Sequence, residues 1–249
     1  MKNKNIAVIF AGGSGKRMKA NIPKQFLKVY GKEIIIHTLE KFQYNDNIDL
    51  IYIGCIKEYI DELKELLKKY NITKVPENGI VAGGATGQET IYNILSRVEE
   101  ENSSDSIVLI HDGVRPIIDD EIINKNIDSV KKYRSAITVT KAFETPIISK
   151  DGESITEVLN RNYVYTAQAP QSFYLKDILA CHEIIRKTKD GYENPKIVDS
   201  CSLVKECGKE VHLIEGKRGN IKVTTYDDYA ILLANLSVND YIQMFKLID

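Results

Sequence analysis

The sequence predicts an α/β fold, a mostly parallel sheet with helices on both faces. Two observations predict it. Short continuous apolar runs, the mark of strands buried on both faces, alternate with amphipathic helical patterns along the 249 residues. The first of these runs breaks straight into a glycine-rich turn, as the first strand of such a sheet does at its ligand-bearing edge.

Taken in order, the first strand is Ile6-Ala-Val-Ile-Phe10, followed by the turn Ala11-Gly-Gly-Ser-Gly15. Leu50–Gly54, Ser106–Ile110, Ala136–Thr140 and Val211–Ile214 are further buried-strand candidates. Residues 56–70 place Ile56, Tyr59, Ile60, Leu63, Leu66, Leu67 and Tyr70 at three-four spacing with charges opposite, which predicts a helix. Residues 88–99 and 119–133 repeat that spacing. Thr225-Tyr-Asp-Asp228 is a capping-box-like start for a last helix. Residues 141–160 break the rhythm with two short strands around Lys150-Asp-Gly152, a hairpin signal. Such a hairpin has no partner inside a parallel sheet, which suggests a protruding arm. With no repeat and no long linker, residues 1–249 are expected to form a single domain with its arm at about 141–160.

Composition narrows the function. Lys plus Arg total 34 against 35 Asp plus Glu, a formal net charge of -1. No broad basic field is available for duplex nucleic acid, yet a small anion needs only a few local cations. No apolar run approaches the roughly 18 to 20 residues of a membrane span. The first residues lead into a strand rather than a signal-peptide core, and Cys55, Cys181, Cys201 and Cys207 include no C-x-x-C pair. A cytoplasmic protein is expected, with neither nucleic acid nor membrane as partner.

The glycine turn admits three readings. A phosphate-binding Walker loop fails, because Phe10 stands where its first glycine belongs and Arg17 follows Lys16. A dinucleotide fingerprint starting at Gly13 meets Met18 in place of its third glycine, which counts against an oxidoreductase. The third takes Ala11–Met18 together with Pro23-Lys-Gln-Phe26: backbone donors followed by Arg17 and Lys24, a fork and a mobile point charge suited to phosphates. Taken singly, both cations read equally as solvated surface groups.

Gly12-Gly-Ser-Gly-Lys-Arg-Met18 with Pro23-Lys-Gln25 resembles the signature of the sugar-type nucleotidyltransferases. Within them the chain looks like the cytidylyltransferases acting on methylerythritol phosphate and on ribitol phosphate. His111-Asp-Gly-Val-Arg-Pro116, Ala169-Pro-Gln-Ser-Phe173 and Glu215–Thr225 agree in order and spacing, so the resemblance runs from residue 6 to about 235. It implies a Rossmann-like fold and a homodimer in which the hairpin arm completes the neighbour's site. It also implies transfer of CMP from CTP to a polyol phosphate, giving a CDP-polyol and pyrophosphate. Ile9–Gly13, Pro23–Leu27 and Ile36–Phe42 look more like the ribitol-phosphate enzymes, which supply surface polymers such as teichoic acid or capsule. The methylerythritol-phosphate enzyme of isoprenoid synthesis is the alternative, as is another alditol phosphate. A catalytically silent nucleotide-binding protein is the alternative from another class.

By resemblance, Arg17, Lys24 and Lys222 are the catalytic cations at the α-phosphorus. Ala11, Gly12, Gly13, Ser14, Gly15, Gly83, Gly84, Thr90 and Asp112 are implied in nucleotide binding, with Thr90 where the family has a Ser hydroxyl near cytosine. Asp112, Arg115, Thr145, Arg161 and Asp199 are implied for the polyol phosphate, Thr145 and Arg161 reaching into the partner chain's pocket. Mg²⁺, or another divalent cation, is expected on the CTP phosphates, with Asp112 as a further candidate ligand. Several readings stay open. Asp112 also suits a capping carboxylate, Arg115 a loop-shaping ion pair, and Asp199 an N-cap for a helix at Ser200. Three positions depart from the pattern: Gly87 where the family usually has Arg, and Ala169 and Val198 where it commonly has Thr.

Overall fold

The computed structural model describes residues 2–13 and 22–245. Its centre is a seven-stranded sheet, built in chain order from β1 (Asn5–Ala11), β4 (Leu50–Cys55), β5 (Ile80–Ala82), β6 (Ile107–Asp112), β7 (Ser135–Lys141), β10 (Tyr165–Tyr174) and β11 (Leu213–Glu215), while β2 (Lys28–Val29) and β3 (Lys32–Glu33) pair as a small separate ladder. Across the sheet the order is β11-β7-β10-β6-β1-β4-β5. β1 pairs in parallel with β4 and β6, β4 with β5, and β7 with β11. β10 runs antiparallel between β6 and β7, so the sheet is mostly parallel but mixed. The helices are α1 (Ile34–Gln43), α2 (Ile60–Lys69), α3 (Gly87–Glu101), α4 (Asp120–Tyr133), α5 (Leu175–Arg186), α6 (Ser200–Glu206) and α7 (Tyr226–Phe245).

Alternation along the central strands explains the three layers. Ala7 and Ile9 of β1 pack with Ile35, Leu39, Phe42, Leu63 and Ile123 on one face. Ile6 and Val8 face Ile91, Ile94, Leu95, Ile178 and Leu203 on the other. A smaller cluster of Val29, Ile34, Val114, Val223 and Leu232 fastens the start of α7 beside the sheet. It brings residues 220–223 to the carboxyl ends of β1 and β6, where the Val223 N–H donates to the Val114 carbonyl at 2.9 Å.

Most sequence expectations hold with shifted ends. The strand read at Val211–Ile214 lies at Leu213–Glu215, and the 56–70 pattern opens with a 3₁₀ turn at Lys57–Tyr59 before α2. Thr225 and Asp228 form the reciprocal cap at the start of α7, through Thr225 N to Asp228 Oδ2 (2.8 Å) and Asp228 N to Thr225 Oγ1 (3.2 Å). The hairpin is β8 (Ile147–Ile148) paired antiparallel with β9 (Glu157–Val158), continuing outward from the β7–β10 ladder. Its turn is longer than an Asp-Gly pair makes. The Asp151 carboxylate accepts from Glu153 N and Ser154 N and organises residues 149–154, with Gly152 at φ +78°. β10 has no counterpart among the strands read from sequence. Its polar alternation around Pro170 disguises it, and its register with β7 shifts between Ala167 and Gln171.

A polar knot locks this antiparallel insertion. Asn126 of α4 is fully buried. Its Nδ2 donates to Thr138 Oγ1 (3.0 Å) and to the Ile122 carbonyl (2.9 Å), while its Oδ1 accepts from Ser172 Oγ (2.9 Å). Asn126→Ala is expected to lower the unfolding free energy by about 2–3 kcal/mol, because Ser172 loses its acceptor in a site closed to water. Urea titration of both proteins measures it, and a change below about 0.5 kcal/mol would show that the knot is dispensable.

Candidate active site

The site grows from the carboxyl ends of β1 and β6. Two loops meet there at backbone distance: a Cβ on Gly83 would stand 3.3 Å from Gly12 Cα, and one on Gly12 would stand 3.0 Å from Thr90 Oγ1. A side chain at either position would have to press its neighbour back by a few tenths of an ångström, so glycine suits the approach. Gln25, almost fully buried, closes the other end of the first loop through Nε2 to the carbonyls of Ala11 (2.6 Å) and Gly13 (3.3 Å). The neighbouring Lys24 turns its ammonium to the Val223 carbonyl at 2.8 Å. Ser14, Gly15 and Arg17 lie outside the described residues.

Thr90 takes a different part from the one its position suggested. Its hydroxyl donates to the Thr86 carbonyl (2.9 Å) and accepts from Gly84 N (3.0 Å), and the residue is buried. The hydroxyl proton and one acceptor lone pair of the oxygen are engaged in shaping the 83–90 loop, so Thr90 supports that loop. Thr86 caps α3 by accepting from Glu89 N. At Gly87 an added Cβ would meet nothing within 4 Å, so the missing family arginine leaves open space.

Asp112, at the end of β6, is the electrostatic centre. Its Oδ2 accepts from Arg115 Nε (3.1 Å), and its Oδ1 is ion-paired with Lys222 Nζ. Arg115 also donates through Nη1 to the Asn220 carbonyl at 2.6 Å, and Asn220 Nδ2 reaches the Ala169 carbonyl at 2.8 Å. Burial works against charge on Asp112, but Lys222 and Arg115 outweigh it and hold the carboxyl below its ordinary range. His111 beneath is fully buried, with Nε2 3.0 Å from the Arg115 carbonyl; burial pushes its pKa down to about 4, so it is neutral at pH 7. The loop-shaping ion pair is therefore the observed state of Arg115.

A cavity of about 470 Å³ opens beside this cluster. Asp112, Arg115 and Lys222 line one part of it, and Ala169, Gln171 and Asp199 another. Asp199 is the N-cap of α6, with Oδ1 accepting from Ser202 N (2.8 Å) and Oδ2 from Gln171 Nε2 (2.8 Å). Its capping role and its place on the cavity wall coexist. Gln171 also accepts from Cys201 N at 2.7 Å, tying β10 to the start of α6. Thr145 and Arg161 do not join this cavity. Both are exposed at the arm, where Arg161 Nη1 is 3.5 Å from the Phe143 carbonyl.

A profile of the family described as IspD, 2-C-methyl-D-erythritol 4-phosphate cytidylyltransferase, matches residues 5–238. The chain belongs to this cytidylyltransferase family. It is 46% identical, over 97% of its own length and 99% of the relative's, to a ribitol-5-phosphate cytidylyltransferase of Vibrio parahaemolyticus. It is 36% identical to a 2-C-methyl-D-erythritol 4-phosphate cytidylyltransferase of Clostridium botulinum, covering 91% of this chain and 94% of that one. The crystal structure of a 4-diphosphocytidyl-2C-methyl-D-erythritol synthase from Anaerococcus prevotii superposes with a TM-score of 0.78 at 30% identity, covering 94% of this chain and 96% of the other.

In this cytidylyltransferase no group of three His, Cys, Asp or Glu side chains suited to a metal occurs among the described residues. Asp112 does not fit a divalent ion in this arrangement, since each oxygen already faces a cation. No helix among the described residues is long and apolar enough to cross a membrane. Sequence reasoning missed Gln25, Asn220 and Gln171 as positioning residues. All three stand inside the motifs, Gln25 and Asn220 close to charged residues, and nothing local marks where an amide side chain points.

Asp112 carries a pH signature. Its depressed pKa contributes stability that is complete above the unfolded value of about 4 and is lost as pH falls toward the folded value. The stability difference between wild type and Asp112→Asn should therefore be constant above about pH 5 and shrink below about pH 4. Urea midpoints across that range test this; a difference that grows on acidification would reverse the assignment.

Proposed function

We propose that the enzyme transfers CMP from CTP to ribitol 5-phosphate, giving CDP-ribitol and pyrophosphate. The observation that carries this reading is the near full-length similarity to relatives named for ribitol 5-phosphate, higher than to the relative named for the methylerythritol substrate. The geometry supports it with a cation cluster beside a cavity large enough for a five-carbon polyol phosphate.

The substrate phosphate is already an anionic nucleophile, so no protein base is needed. One of its oxygens bonds to the α-phosphorus of CTP in line while the bond to the bridging oxygen of the β-phosphate breaks, and pyrophosphate leaves with that electron pair. Arg17 and Lys24 hold the triphosphate at the glycine loop, and Lys222 meets charge developing at the α-phosphorus. The pair with Asp112 aims Lys222 before substrate arrives. Mg²⁺ on the triphosphate would offset the charge of its oxygens. Residues 1–249 act as one domain. In a homodimer, Thr145 and Arg161 of the arm grip the polyol phosphate in the partner subunit's cavity; their exposure and their distance from their own cavity support that exchange.

Pyrophosphate release with CTP, Mg²⁺ and a panel of polyol phosphates is the direct test. Ribitol 5-phosphate should give the highest kcat/KM; a higher value for methylerythritol phosphate would move the enzyme to that pathway. Lys24→Ala and Arg17→Ala should each lower kcat at least about tenfold, since such electrostatic donors are worth several kcal/mol. Wild-type rates in either variant would return that residue to the surface. Mixing Arg161→Ala with Lys24→Ala chains should restore activity through mixed dimers. Confirmed heterodimers without recovery would refute the shared site.

A further inference from the structure

The cavity has two chemically distinct sides. Asp112, Arg115 and Lys222 supply the charged side, which suits phosphates. The other side comes from the first turns of α3 and from residues 192–200, and its described lining holds no Lys or Arg. Ile91 and Ile197 give it apolar surface, while Gln88 and Tyr192 give it polar atoms. Such a wall suits a neutral, hydroxylated carbon chain rather than a second phosphate.

Gln88 is 94% buried on that wall, being 6% exposed, and its Oε1 has no hydrogen-bond partner among the described residues. An unpaired buried amide oxygen is costly, and a primary amide can turn to offer either oxygen or N–H₂ to a ligand. Tyr192 sits on the 3₁₀ turn Gly191–Glu193 between α5 and α6. Its hydroxyl is 2.5 Å from Nδ1 of His182 on α5, a fully buried ring packed edge-on against it with centroids 5.5 Å apart. Tyr92 of α3 lies behind His182, its ring centroid 5.8 Å away, and anchors α5 through a 2.6 Å hydrogen bond to Glu183. Burial lowers the pKa of His182 to about 3, so the ring that holds Tyr192 is neutral across the working range. Nothing in the phosphate chemistry needs this arrangement. Ala169 and Val198, meanwhile, line the cavity without offering it a side-chain hydroxyl.

We propose that Gln88 and Tyr192 form the wall that reads the carbon chain of the acceptor: the Gln88 amide pairs with a hydroxyl remote from the phosphate, and Tyr192, fixed by His182 as its positioning residue, sets how long a chain fits. This rests on the acceptor reading above, that the substrate is a polyol phosphate.

The test is steady-state kinetics of the full-length enzyme with CTP, Mg²⁺, ribitol 5-phosphate, its monodeoxy analogues and a six-carbon alditol phosphate. Gln88→Ala should raise KM for ribitol 5-phosphate about tenfold, the worth of one hydrogen bond to a ligand, and leave KM for CTP within about twofold. One deoxy analogue should be indifferent to that substitution, which identifies the paired hydroxyl. Tyr192→Ala should shift the kcat/KM ratio of six-carbon over five-carbon acceptor upward by about tenfold or more, and His182→Phe should shift it in the same direction by less. Tyr192→Phe, which keeps the ring, guards against a folding artefact and should change that ratio least. Equal losses with every acceptor, an unchanged ratio, or a KM effect confined to CTP would overturn the inference while leaving the acceptor reading intact. A wild type inactive on every polyol phosphate would overturn both.

Discussion

The buried carboxylate of Asp112 between Arg115 and Lys222 is the constraint on which the site depends. A charge at the end of a fully buried strand is tolerable only if cations and hydrogen bonds surround it. Meeting that demand draws in three separate parts of the chain. Arg115 comes from the loop after β6, and Lys222 from a segment about a hundred residues later. Asn220 receives the far end of Arg115 and passes the connection to β10 through the Ala169 carbonyl. The same contacts that neutralise the carboxylate therefore gather two cations at one edge of the cavity. Electrostatic compensation and assembly of the cationic edge of the cavity are one event.

The rest of the site is organised by backbone. The glycine loop and the 83–90 loop approach so closely that an added side chain would crowd its neighbour, and Gln25 holds the first loop while Thr90 holds the second. Neither residue needs to touch substrate to matter. Gln25 holds the carbonyls of Ala11 and Gly13, and Thr90 holds the Gly84 N–H, so both fix the course of the main chain.

Much of the fold was legible in the sequence because it is written in period. Continuous apolar runs found β1, β4 and β6, and three-four spacing found α2, α3 and α4. β10 escaped because its inner half, Pro170 to Phe173, sets the adjacent polar residues Gln171 and Ser172 inside the strand, where they bond to Asn126 and to the start of α6, partners distant in sequence. The site divided in the same way. Cations in motifs, such as Lys24, Arg115 and Lys222, are visible in one dimension because charge announces itself. The destinations of amides and hydroxyls are not: nothing local says that the Thr90 oxygen is already engaged by Thr86 and Gly84. The same holds for Asp199, whose two candidate roles turn out to be compatible.

The distance in sequence between Asp112 and Lys222 has a consequence for biosynthesis. A ribosome that has just completed β6 must add roughly a hundred residues, several seconds or more of elongation, before the second counterion leaves the exit tunnel. Until then the carboxylate has only Arg115, and Arg115 itself lacks the Asn220 carbonyl. A nascent chain can thus settle its sheet early, but it acquires the fully neutralised pair only when about its last eighth emerges. Premature termination before residue 220 would leave a protein with most of its sheet and an uncompensated charge at its centre, a species that quality-control proteases should recognise readily.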